Sequence, residues 1–295
     1  MTDYALTLCD VGGHGVAGIS LALLPGEIAG LVGPAGAGKS TVLRIAAGCL
    51  RPESGDVRVW GARVEAPAAR QLIGYAADNA VFPAAATVRE VLSYYARLHC
   101  AANAERAPRR LRGLVREALE LSGLAGEAGT HVEALSRADL HRLGLAQAVL
   151  GGRRVLLLDE VLSGGGLDAI ARRDLRGRIA GLAASGVAVV ITSRDPAALE
   201  RLAARVLVLR EGRIVRAGPL ATLLGERVLE VILDCPPAEP PPGFRITAAG
   251  LEASLTGRTV EAALALCRAH RLPVRASRVR VKSLEEVVLE THDMR

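Results

Sequence analysis

The spacing of apolar and polar positions divides the chain into short strands and helices from its first residues onward. Over residues 5 to 32 the segments ALTL and ISLALL carry the short apolar patterning of strands, and a Pro25-Gly26 turn leads into the apolar strand of GEIAGLVG. The period then changes. TVLRIAAGCL, Thr41 to Leu50, has helical spacing, and RPESGDVRVWG reads as a turn and a strand. From about Thr87 to Leu150 strand alternation is missing, while VREVLSYYARLHC and LRGLVREALELSGL predict helices. This stretch is a helical insert. Strand character resumes in RRVLLLDE, followed by a Gly-rich turn, the helix AIARRDLRGRIAGLAASG, the strand VAVVITS and the hairpin RVLVLREGRIVRAG. Such alternation of β and α elements predicts an α/β fold with a mostly parallel sheet.

A break follows at CPPAEPPPG, Cys235 to Gly243, where the run of prolines forbids regular structure and marks a loop or linker. Around and beyond it, VLEVILD and VRASRVRV read as strands and TVEAALALCRAHRL and SLEEVVLETH as helices. The expected organisation is a large domain over 1–226, with its helical insert at about 87–150, and a small α+β appendage over 227–295. No internal repeat is visible.

Composition narrows the choices. Half of the 295 residues are hydrophobic but only 2% are aromatic, so the core must be built from Leu, Val, Ile and Ala, which suits a parallel sheet flanked by helices. Apolar runs end long before the ~18 residues of a membrane span, and MTDYALTLCD lacks the basic flank and unbroken apolar stretch of a signal peptide. A cytoplasmic protein is expected. The five cysteines are odd in number, widely spaced and never arranged as CxxC, which fits reduced thiols rather than disulfides or zinc. A net charge of +6 raises nucleic acid or anionic lipid as partners. The chain lacks the aromatic interleaving and recognition motifs of a specific nucleic-acid binder, however, and its basic residues are almost all Arg in an Ala- and Gly-rich chain. Lysine stands only at positions 39 and 282.

Lys39 lies in GPAGAGKS, Gly33 to Ser40, which matches G-x-x-x-x-G-K-[ST] between a predicted strand and a predicted helix. A slim cation is needed there. The backbone N–H groups of Gly33, Pro34's neighbours, Ala35, Gly36, Ala37 and Gly38 can close around phosphates, and the helix N-terminus adds its positive dipole end. Lys39 then contacts the β- and γ-phosphates, Ser40 ligates Mg²⁺, and Thr41 completes the loop. VLLLDE, Val155 to Glu160, ends four apolar residues in two carboxylates, a pattern that a buried strand tolerates only at its C-terminal edge. That puts Asp159 beside Mg²⁺ and Glu160 near the γ-phosphate, where it can polarise an attacking water as general base.

The order and spacing of these motifs over residues 5 to 225 resemble the ATP-binding cassette of ABC transporters, a P-loop NTPase. GEIAGLVGPAGAGKSTVLRIAAGCLRPESGDVRVWG resembles the family almost residue by residue, as does LLLDE with LDAIARRDL. The appendage, ending in SLEEVVLETHDMR, resembles the C-terminal tail of drug-export ATPase subunits. The resemblance implies ATP with Mg²⁺ as cofactors, a second cassette packed head to tail, and a separate membrane-spanning permease subunit. It also implies peripheral attachment, through that partner, at the inner face of the cell membrane.

Several positions depart from the family. IGYLPQ appears as IGYAAD, so Asp78 stands where a Gln contacts Mg²⁺, the attacking water and the membrane domain. The signature LSGGQ appears as LSRAD, keeping Ser136 for the partner's γ-phosphate but placing side chains at Arg137 and Ala138 where glycines allow close backbone approach. The switch histidine is Arg194, which can hold a phosphate but cannot shuttle a proton. DEPTSGLD becomes DEVLSGGGLD, with Gly164, Gly165 and Gly166 adding slack before Asp168, and His14 is the nearest candidate for stacking on adenine. Two functions are therefore expected to compete. One is an export ATPase; the other is a degenerate cassette that binds Mg-ATP as a structural or regulatory subunit and hydrolyses it poorly.

Overall fold

A computed structural model describes residues 3–78, 80–102, 108–163, 167–225, 227–235, 237–247 and 250–293. In chain order the first elements are β1 (Leu6–Gly13), β2 (Val16–Leu23), β3 (Ile28–Val32), α1 (Lys39–Ala46), β4 (Ser54–Val59), β5 (Ala62–Arg63), α2 (Pro67–Gln71) and β6 (Ile73–Ala76). The insert supplies α3 (Val88–Ala102), α4 (Pro108–Ser122) and α5 (Arg137–Val149). Then come β7 (Val155–Leu158), α6 (Ala169–Ala184), β8 (Ala188–Ser193), α7 (Pro196–Leu199), β9 (Arg205–Arg210), β10 (Arg213–Pro219) and α8 (Leu220–Leu224). The last are β11 (Arg227–Leu233), β12 (Phe244–Thr247), β13 (Gly250–Ser254), α9 (Val260–Ala269), β14 (Val274–Val281) and α10 (Leu284–Asp293). Among the described residues no helix is long and apolar enough to cross a membrane.

The chain forms two compact units, Met1–Ala217 and Gly218–Arg295, so the expected limit at 226 lies within the second. The first unit holds a six-stranded sheet in the order β10-β9-β3-β8-β7-β6. Its β3 pairs in parallel with β8 and β9, and β7 with β6 and β8. Every residue of β3, β7 and β8 is buried, as strands covered on both faces require. A second sheet, β2-β1-β4-β5, is antiparallel and was not apparent from the sequence. The apolar face of α1 (Val42, Leu43, Ile45) shares one core cluster with Leu6, Leu8 and Val57 of this sheet and Leu31, Leu157 and Val190 of the parallel one.

Two expectations change. The helix expected over Thr41 to Leu50 runs instead from Lys39 to Ala46, because it begins on the phosphate-loop lysine and Gly48, at φ 71°, turns the chain out of it. In the second unit the order β12-β13-β11-β14 includes two strands that the sequence patterning missed, and the proline-rich stretch is a loop inside that unit, between β11 and β12. VRASRVRV forms β14, the strand its patterning predicts, at the sheet's edge with its valines partly exposed.

Candidate functional site

Parallel pairing brings the predicted residues together. The register sets Val32 opposite Ser193, Leu158 opposite Ile191 and Ala76 opposite Leu158, so four neighbouring strands end at one level. Beyond those ends lie the loop Gly33 to Ser40, Arg194, the Asp159-Glu160 pair and Asp78.

The loop is shaped by its glycines at two positions. Gly33 has φ 155°, and a Cβ there would stand 2.1 Å from the Leu209 carbonyl oxygen; Gly38, at φ 102°, would meet a Val16 methyl at 2.7 Å. Gly38 caps α1 without a side chain, leaving the helix's first amides free to face an anion. Lys39 is the first helical residue and is buried, with Nζ donating to the carbonyl oxygens of Gly33 (2.8 Å) and Pro34 (3.0 Å). Its ammonium also lies 3.5 Å from Glu160 Oε1. Ala35, Gly36, Ala37, Gly38, Lys39, Ser40, Thr41, Glu160 and Arg194 line one cavity of about 310 Å³. Two larger hollows among the described residues, one lined by Arg89, Arg97 and Arg112 and one by Trp60, Arg153 and Arg154, do not include these groups.

Asp159 is 1% exposed, and three hydroxyls satisfy it. Ser40 Oγ donates to Oδ1 at 3.1 Å, Thr192 Oγ1 to the same oxygen at 2.8 Å, and Tyr75 OH to Oδ2 at 3.4 Å. Thr192 and Tyr75 were missed from the sequence; the one signal for Thr192 is a hydroxyl in the otherwise aliphatic run AVVIT. Burial raises the Tyr75 phenol above its ordinary value, so it remains a donor. Ser40 Oγ and Asp159 Oδ1 together form a hard, all-oxygen pair of the kind that suits Mg²⁺.

Glu160 is equally buried and has φ 54°, a left-handed conformation held by its N–H donating to Thr192 Oγ1 at 2.9 Å. Its Oε2 accepts from the Arg194 main-chain N–H at 2.9 Å, and its Oε1 lies 3.5 Å from Arg194 Nε. Arg194 Nη2 in turn donates to Asp78 Oδ2 at 2.9 Å. The result is a chain of alternating charge, Lys39, Glu160, Arg194, Asp78. The Asp78 carboxyl is raised above its usual range, chiefly by burial; Arg194 opposes that shift, and Asp159 and Glu160 add to it. His141 lies close enough to feel the Asp78 charge, yet burial lowers its own value.

The remaining sequence candidates lie outside this cavity. Ser136 is the N-cap of α5: its Oγ accepts from the Asp139 N–H at 3.1 Å and donates to Asp139 Oδ2. Asp139 also binds Arg142, which reaches Asp174 of α6 at 3.0 Å, so LSRAD is a well-capped helix start tied to its neighbour. Asp168 caps α6 through the Ala171 N–H at 2.7 Å. The His14 ring bonds to the Arg51 carbonyl at 2.9 Å. Gly164 to Gly166 lie outside the described residues.

A family profile described as ABC transporter matches residues 16–163, half of the chain. The Nod factor export ATP-binding protein I of Paraburkholderia xenovorans is 33% identical over 215 residues, covering 72% of this chain and 68% of that protein. An ABC transporter ATP-binding protein of Synechocystis sp., sll0415, is 33% identical over 218 residues, covering 73% and 60%. The chain thus spans about 60 to 68% of the length of these relatives. Among solved structures, cbiO1 from Clostridium perfringens superposes with TM-score 0.65 at 23% identity, covering 76% of this chain and 91% of that one. The dimeric bacterial cassette MJ0796 does so with TM-score 0.63 at 21%, covering 73% and 98%, and both are likenesses of fold. With a phosphate loop after β3, a carboxylate pair just past the end of β7 and these relatives in agreement, the chain belongs to the ABC transporter family and carries its ATP-binding cassette.

Proposed function

We propose that this chain is the ATP-binding subunit of a membrane exporter, coupling Mg-ATP binding and hydrolysis to transport by a separate permease subunit. The observation that carries the reading is the convergence of Lys39, Ser40, Asp159 and Glu160 on one small cavity at the start of α1. Amides from Gly33 to Ser40 hold the phosphates there, and Lys39 exchanges the carbonyls of Gly33 and Pro34 for phosphate oxygens. Ser40 and Asp159 would hold Mg²⁺, which would supply charge neutralisation at the phosphates. Glu160 orients the attacking water and accepts its proton. Relatives named for Nod factor export support the export direction. A second cassette faces the site, the permease brings the pair to the inner face of the membrane, and the second unit, Gly218–Arg295, is the appended domain.

One observation favours a hydrolysis-poor version of this role. Glu160 is held on both carboxylate oxygens by Lys39 and Arg194, and Arg194 is itself held by Asp78. The side chains of Arg137 and Ala138 also stand where the family's signature has glycine. The purified chain is therefore expected to turn over ATP well below the ~1–10³ s⁻¹ of ordinary enzymes. Arg137→Gly, Ala138→Gly and Arg194→His together should raise that rate. Brisk hydrolysis by the unmodified chain, abolished by Glu160→Gln, would exclude the hydrolysis-poor version and leave an ordinary transport ATPase.

A further inference from the structure

We infer that the hollow between α3 and α4 is a binding site for a ligand carrying two or more phosphate groups, separate from the nucleotide site. It has a volume of about 760 Å³ and is lined from α3 by Arg89, Ser93 and Arg97 and from α4 by Arg109, Arg112 and Arg116. The spacing is that of two helical stripes. Arg89, Ser93 and Arg97 recur every four residues, and Arg109, Arg112 and Arg116 at steps of three and four, so each set lies on one face of its helix. None of these residues belongs to the phosphate-loop cavity.

Five guanidinium groups thus share one hollow with a single carboxylate, Glu120, which lies 4.0 Å from Arg116. Arg89, Arg97, Arg109 and Arg112 have no carboxylate within ion-pair distance among the described residues. Exposure alone does not explain this, since Arg63 and Arg278, with side chains 61% and 68% exposed, each hold a carboxylate. Beneath the arginines Val115 and Leu119, each 4% exposed, form an apolar floor. A cleft of one charge sign over a low-dielectric wall focuses its field on an incoming anion. Each planar guanidinium matches phosphate oxygens with two parallel donors, and the Ser93 hydroxyl adds a neutral one. One phosphate group brings a charge of only about −2, so offsetting most of the five positive charges calls for at least two such groups. Free polyphosphates and the headgroups of diphosphatidyl lipids share this chemistry.

The test pairs calorimetric titration of the full-length chain with inositol hexakisphosphate and co-sedimentation with vesicles of equimolar phosphatidylcholine and cardiolipin, against phosphatidylcholine alone. Binding of the free probe identifies a soluble ligand, and binding confined to the cardiolipin vesicles identifies a lipid headgroup. In either case Arg97→Gln with Arg112→Gln, one residue from each helix, should weaken binding about 3- to 30-fold, the span of two exposed charge contacts. Arg213→Gln with Arg268→Gln makes the same change in net charge outside the hollow and should leave binding unchanged. All four arginines are exposed and have no ion pair among the described residues, so both variants should keep the wild-type melting temperature. Equal losses in the two double variants would reduce the effect to net charge and overturn the site. Undiminished affinity in Arg97→Gln with Arg112→Gln would put the ligand elsewhere, the phosphate loop included, and would overturn it as well. So would a wild-type chain that binds neither probe, whatever its affinity for Mg-ATP.

Discussion

Thr192 offers a sharp test of how the acidic pair is held. Its hydroxyl is fully buried, donates to Asp159 Oδ1 at 2.8 Å and accepts the Glu160 N–H at 2.9 Å. Thr192→Val replaces that hydroxyl by a methyl of nearly the same shape, so neither cavity nor clash complicates the result. Two losses follow. A hydrogen bond to a charged carboxylate contributes about 1.5–3 kcal/mol, and a buried amide left without an acceptor costs about 1–3 kcal/mol. Ser40 and Tyr75 continue to donate to Asp159, which offsets part of the first loss. A net destabilisation of about 2–4 kcal/mol is expected. The Glu160 conformation adds a functional consequence, since a non-glycine residue in the left-handed region costs roughly 1–2 kcal/mol and here loses a main anchor. Urea unfolding followed by fluorescence is selective, because the single tryptophan, Trp60, lies in the first unit. The valine variant should unfold at clearly lower urea and bind Mg-ATP more weakly, while Thr192→Ser should recover most of both. A valine variant with the wild-type midpoint and affinity would refute the claim that this hydroxyl organises the pair.

Further outcomes follow from the helix cap, the loop glycine and the appended unit. Ser136→Ala removes the cap of α5 and should lower the Trp60-reported unfolding free energy by about 1 kcal/mol, with Ser136→Asp recovering it. Gly33→Ala forces a Cβ onto the Leu209 carbonyl, so its melting temperature should drop more than that of Ser136→Ala. In the second unit Arg280 holds the Glu286 carboxyl below its ordinary 4.5, aided by the Ser283 N–H. Because the folded value is depressed, this stabilisation is complete above pH 4.5 and is lost as pH falls through the lower folded value. Acid unfolding followed by circular dichroism should therefore begin below pH 4.5, and Glu286→Gln should flatten that part of the profile.

What the sequence made legible is what depends on local pattern. GPAGAGKS and VLLLDE each carry their chemistry in a short run, and the all-apolar strands announce a buried parallel sheet, so the phosphate loop and Asp159-Glu160 were readable at once. The partners that hold those residues were not. Tyr75 and Thr192 reach Asp159 from positions 84 and 33 residues away, and only the order of strands in the sheet brings them there. The Asp78–Arg194 contact spans 116 residues; each departure was visible alone, but their pairing was not. The antiparallel sheet escaped notice because β4 and β1 alternate weakly and pair across the intervening β3 and α1. In the second unit β12 and β13 are short and mixed in polarity, so their strand character comes from pairing, β13 with β11 and β12 with β13, rather than from their own patterning.

The central claim is that nucleotide phosphates bind at the start of α1, held by Lys39. Calorimetric titration of Mg-ATP into the wild-type chain and Lys39→Ala tests it most directly. Removing a charge-assisted contact worth about 1.5–3 kcal/mol should weaken ATP by roughly 10- to 150-fold while the variant still melts cooperatively. Equal affinity in the two proteins would contradict the account, since it would mean that ATP binds, if anywhere, away from Gly33 to Thr41.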